Sequence, residues 1–164
     1  MQPPKSDFRP RLLKRGDTCI KLGLIFKNLF SNFLEGKNML NRINLDKYIS
    51  DTYDVSADYP WISNPEFAVY RHKSSKKWFG VVMTIPRTKL GLERDLNVDV
   101  INLKCDPLLI GSLCKENGIF PAYHMNKSYW ISVLLDSTVD DEKIKWLLNL
   151  SFDLTKNKKK TKKS

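Results

Sequence analysis

The order of polar and apolar residues between Asn102 and Trp130 constrains the fold more than any other feature of the chain. Val98–Lys104 alternates well enough to read as a strand, and Asn102-Leu103-Lys104 closes that run. Asp106-Pro107 follows, pairing an N-cap acid with a proline whose missing N–H is harmless at the first helical position. A helix is therefore expected from Asp106 to about Asn117, stopped by Gly118, with Leu109, Ile110, Leu113 and Cys114 on its buried face. A polar loop through Pro121-Ala122-Tyr123-His124-Met125-Asn126-Lys127-Ser128 leads into Tyr129–Asp136, an apolar run that reads as another strand. Strand, helix, loop and strand in this order set the architecture of the C-terminal half.

The flanking segments extend the pattern. Asn44 can cap a helix from Leu45 to about Tyr53 that buries Leu45, Tyr48, Ile49 and Tyr53. Asp58-Tyr59-Pro60-Trp61 and Asn64-Pro65 end it. Phe67–His72 and Lys77–Ile85 read as strands joined by a Lys73-Ser74-Ser75-Lys76 turn, and Pro86 stops the second. Arg87, Lys89 and Arg94 fall in the loop that follows. Thr138-Val139-Asp140-Asp141 has the form of a variant capping box before a last helix, with Ile144, Leu147, Leu148 and Ser151 facing inward. The expected class is α+β, an antiparallel sheet with helices packed on one face.

A chain of 164 residues suits one core. Its formal net charge of +10 is unevenly placed. Residues 1–38 hold eight Lys/Arg against three Asp/Glu, and residues 156–164 hold six Lys and no acid. That leaves residues 39–155 with 14 bases against 15 acids, so polyanion attraction belongs largely to the ends. Residues 1–19 are polar, basic and proline-containing, a composition that favours disorder. Leu22, Ile25, Phe26, Leu29, Phe30, Phe33 and Leu34 lie on one helical face, predicting an amphipathic helix over about 20–35. It suits docking on the domain or on a protein partner, and membrane-surface anchoring is the alternative. Met39 opens the 39–155 domain cleanly and is a third possibility, as the start of the chain. Residues 156–164 read as a solvated lysine tail. Cys19, Cys105 and Cys114 are odd in number and lack C-x-x-C spacing, which argues against a disulfide framework or zinc knuckle and fits a reducing cytosol. No apolar run has the length of a membrane span.

Phe67-Ala68-Val69-Tyr70-Arg71-His72, Lys77-Trp78-Phe79-Gly80, Asn102–Pro107, Pro121–Lys127 with Trp130, and Ser151-Phe152-Asp153-Leu154 together resemble the MmcQ/YjbR family of small bacterial proteins, over about residues 40–155. The resemblance implies a CyaY-like α+β sandwich. It also implies a double-wing DNA-binding arrangement, in which a curved antiparallel sheet and its hairpins meet the duplex.

Four features are candidates for function. Arg71, Lys73, Lys76 and Lys77, beside Trp78, could bridge phosphates of double-stranded DNA, and the same residues also suit an edge strand guarded by lysines. His124, Asn126 and Lys127 could donate to phosphate or base edges. They equally suit a turn in which Asn126 serves the backbone and His124 packs on Tyr123. The lysine tail offers attraction without reading sequence. Catalysis has thin support: the two histidines, His72 and His124, form no metal motif, and Cys105 would need His124 beside it to act as a nucleophile. The expectation is a cytoplasmic, non-enzymatic DNA-binding protein without metal or cofactor. The alternative is a protein-interaction or small-ligand module. A contiguous positive face would favour the first, and mixed charge with an apolar groove the second.

Overall fold

The computed structural model describes residues 40–93 and 96–156. The expected 20–35 helix, Cys19, Arg94 and the lysine tail beyond Lys156 lie outside these residues. Among them, helix α1 (Arg42–Tyr53) precedes strands β1 (Ala68–Arg71) and β2 (Trp78–Pro86). A 3-10 turn (Arg87–Leu90) then leads to β3 (Asn97–Lys104), α2 (Pro107–Leu113), β4 (Ile119–Pro121), β5 (Trp130–Leu134) and α3 (Asp141–Thr155). The five strands form one sheet in the order β1-β2-β3-β5-β4, and every neighbouring pair is antiparallel.

Helices cover one face, as the α+β reading expects. Leu45 and Ile49 of α1, Leu113 of α2, and Ile144, Leu147 and Leu148 of α3 pack with Tyr70, Phe79, Val82, Ile101, Leu103, Ile131 and Val133. Ser151 continues the α3 stripe and is fully buried. The opposite face, open in that no apolar residue of α1–α3 packs on it, carries Val69, Val81, Met83, Ile85, Val98, Val100 and Leu134, with side chains from loops and edges, among them Trp61, Leu90 and Tyr123, packed against them.

A β-bulge links the two faces. Tyr70 pairs with Gly80 but Arg71 pairs with Trp78, so Phe79 is an extra residue on β2. One extra residue shifts the alternation. Phe79 enters the helix-side core, whereas Trp78 shares the other face with Val81 and Met83. The Ser151 hydroxyl fixes this point: it donates to the Phe79 carbonyl at 2.5 Å and accepts the Lys104 amide at 2.7 Å.

Local boundaries differ from expectation in four places. The N-cap of α1 is Asn41, whose side chain accepts the Asn44 amide at 3.0 Å, so Asn44 lies inside the first turn. Helix α2 stops at Leu113, and the tighter i→i−3 bonds Lys115 N–H to Ser112 O and Glu116 N–H to Leu113 O follow. Gly118 comes after them with φ of +84°, and a Cβ there would sit 2.6 Å from Val139 Cγ2. The three residues Ile119–Pro121 form β4 where a loop is expected from the sequence. Asp140, not Thr138, caps α3 by accepting the Glu142 amide at 3.1 Å, while the Thr138 amide bonds Asp136 Oδ1.

Candidate functional site

The strand directions bring the basic segments to one end of the sheet. β1 and β2 are joined there by residues 72–77, β3 leaves the sheet there at Lys104, and β4 turns into β5 there through residues 122–129. The midpoints of the two hairpins are three strand spacings apart, about 14 Å in a flat sheet.

The hairpin cations divide into two kinds. Arg71 Nε bonds Asp58 Oδ2 at 2.9 Å, and its guanidinium lies over the Trp78 ring at 4.9 Å. Asp58 reaches that position because its backbone bridges Val69 on the outer edge of β1. Lys73 pairs with Asp54. Lys76 and Lys77 are exposed, and neither forms an ion pair among the described residues. Lys76 occupies the left-handed region at φ of +57°, an uncommon conformation for a lysine.

Lys104 joins this group although sequence reading did not single it out. With Lys77, Trp78, Trp130, Leu154 and Thr155 it lines a cleft of about 340 Å³. Its ammonium lies 5.0 Å from the Tyr129 ring centre and 5.6 Å from that of Trp130. The signal available in the sequence was positional: a lysine ending an apolar strand points to the rim of the sheet.

The loop with His124, Asn126 and Lys127 is held by its backbone. Asn102, fully buried, donates from Nδ2 to the Tyr123 carbonyl at 2.7 Å and accepts from Ser132 Oγ at 2.5 Å. Ser132 Oγ in turn accepts the Tyr123 amide at 2.9 Å. Within the loop, His124 has φ of +56° and packs on Tyr123 with ring centres 4.0 Å apart. The Asn126 side chain accepts the Ser128 amide at 2.9 Å. Lys127 is exposed. His124 thus joins not the hairpin lysines but a second cleft, of about 510 Å³, on the open face of the sheet. Trp61, Phe67, Trp78 and Tyr123 supply its aromatic lining, over Val81, Met83 and Ile85.

The groups with reactive potential are differently placed. His72 is buried between the Phe79 and Phe152 rings, with Nε2 3.0 Å from the Phe152 carbonyl and 2.8 Å from Thr155 Oγ1. Burial lowers its pKa. Cys105 is also buried, and burial pushes its thiol pKa up, against the formation of a thiolate nucleophile. Among the described residues no group of three or more His, Cys, Asp or Glu could hold a metal ion. No helix among them is long and apolar enough to cross a membrane.

Comparison with known proteins covers the same region. The YjbR family model matches residues 50–154. The uncharacterised protein YyaQ of Bacillus subtilis (strain 168) is 42% identical over 118 residues, spanning 72% of this chain and 100% of its own length. A crystal structure from Pseudomonas syringae is similar at 45% identity and a TM-score of 0.70, covering 71% of this chain and 100% of that one. A Deinococcus radiodurans crystal structure, at 24% identity and a TM-score of 0.57, shares the fold over 74% of this chain and 84% of its own.

Proposed function

The chain belongs to the YjbR family, and from that premise we propose that it is a cytoplasmic, non-enzymatic binding protein whose ligand is double-stranded DNA. The observation that carries this reading is the placement of Lys76, Lys77 and Lys104, three cations without ion pairs among the described residues, at the end of the sheet where both hairpins turn, with Lys77 and Lys104 lining one cleft there. Two hairpins about 14 Å apart are on the scale of a major groove about 12 Å wide. In this proposal Lys76 and Lys77 meet phosphates from one wing and Lys127 from the other, with Lys104 between them. Arg71 and Lys73 contribute less, because Asp58 and Asp54 offset their charge. His124 and Asn126 approach the duplex only as parts of the loop that positions Lys127. The domain is residues 39–155, and the cationic segments 1–38 and 156–164 add attraction that does not read sequence.

The test is a titration of the full chain with duplex DNA at several salt concentrations. Every phosphate that a variant no longer neutralises should reduce the slope of log affinity against log salt by about 0.9. The Lys76→Ala, Lys77→Ala, Lys104→Ala triple variant should therefore show a visibly shallower slope. An unchanged slope would assign all the attraction to the ends of the chain and remove the domain from the interface.

A second reading, a small-ligand or protein-interaction module, is favoured by the 510 Å³ cleft. Its apolar floor, and a lining that among the described residues includes no lysine or arginine, suit a ligand other than a polyanion.

A further inference from the structure

We propose that the cleft on the open face of the sheet is a site for a small organic cation, an alkylated ammonium group held against aromatic rings and matched by the Glu66 carboxylate. This inference rests on the second reading above and does not depend on DNA binding.

Aside from the imidazole of His124, the charge in the lining is of one sign. Among the described residues, four aromatic side chains contribute to it, Glu66 is its one carboxylate, and no lysine or arginine lines it. Aromatic faces carry negative potential and attract cations, most strongly at tryptophan. Trp61 and Trp78 meet edge to face, with centres 5.6 Å apart and planes at 89°. Trp61 and Phe67 do likewise at 6.2 Å and 81°. In such pairs the rings are not stacked face to face, so one ring of each pair has neither face covered by its partner. One face of Trp78 already carries a cation, Arg71, whose charge Asp58 matches and which does not line the cleft. The volume of about 510 Å³ exceeds that of a trimethylammonium head and leaves room for an attached chain over Val81, Met83 and Ile85.

The site is also built rather than incidental. Its far wall is the His124 loop, which the buried Asn102–Ser132 pair ties to the sheet through both polar backbone groups of Tyr123. Its near wall depends on the Phe79 bulge, without which Trp78 would not share a face with Val81.

The experiment compares choline with its neutral isostere 3,3-dimethyl-1-butanol, titrated into the full chain at pH 8 while tryptophan fluorescence is followed. Choline should bind at least about ten-fold more tightly than the isostere, consistent with a cation–aromatic contribution. Glu66→Gln, a change at an exposed position, should weaken choline several-fold and leave the isostere unaffected. Equal or tighter binding of the isostere would overturn the cation assignment while leaving a ligand cleft in place. Absence of any saturable response to either compound would overturn the inference together with the small-ligand reading. Neither result would alter the salt dependence of DNA binding.

Discussion

The Ser151 hydroxyl is fully buried and uses both of its hydrogen-bonding roles on adjacent strands, donating to Phe79 and accepting from Lys104. Ser151→Ala would strand a buried carbonyl and a part-buried amide at once. A loss of about 1–3 kcal/mol is expected, read from the urea midpoint. His72 makes a pH-dependent contribution of definite sign. Its folded pKa lies below the ordinary value, so the unfolded chain binds the proton more readily. Stability is then complete above about pH 6.5 and declines as pH falls below it toward the lowered folded pKa. Urea unfolding at pH 7.5 and 5.5 should show this decline, and His72→Gln should flatten it. The histidine and the serine differ in how visible they were in the sequence. Ser151 fell on the inner stripe of a periodic helix, so its burial could be read. The partners of His72 are about 80 residues away on α3, and no local pattern announces them.

Periodicity identified the three helices of the described region and four of the five strands, because each carries enough apolar residues to show a repeat. β4 was missed for the opposite reason: three residues make less than two periods of alternation. Capping was harder to place than helix identity. Asn41 and Asn44, or Thr138 and Asp140, are all competent N-cap residues, and the winner depends on where the preceding chain arrives. The same dependence governs Gly118. Its positive φ and the 2.6 Å approach to Val139 leave no room for a side chain. Gly118→Ala should destabilise the fold by about 1 kcal/mol from the backbone conformation alone, with steric crowding adding to it. A thermal melt would measure the sum. The aromatic cleft was equally hidden, since its walls come from the 61–67 segment, β2, β3 and the 122–129 loop. The bulge, which no local pattern announces, is what puts Trp78 on the same face as Val81 and Met83.

At the scale of the molecule, the charge balance read from composition holds in three dimensions as a local arrangement. Carboxylates from the segment after α1 meet the hairpin and neutralise half of its cations. Asp54→Asn with Asp58→Asn should release Lys73 and Arg71, tightening DNA binding and steepening its salt dependence. A binding curve unchanged by both substitutions would mean that this wing does not reach the phosphates. The placement of β5 between β3 and β4 has a different consequence, one that concerns manufacture. As the polypeptide leaves the ribosome, β1, β2 and β3 can assemble as a meander, but one border of β3 stays open until residues 130–134 emerge. A chain in which β1–β3 have paired before residues 130–134 are available would carry an unpaired β3 border, a kind of edge that invites pairing with a neighbour and that β5 covers in the complete sheet.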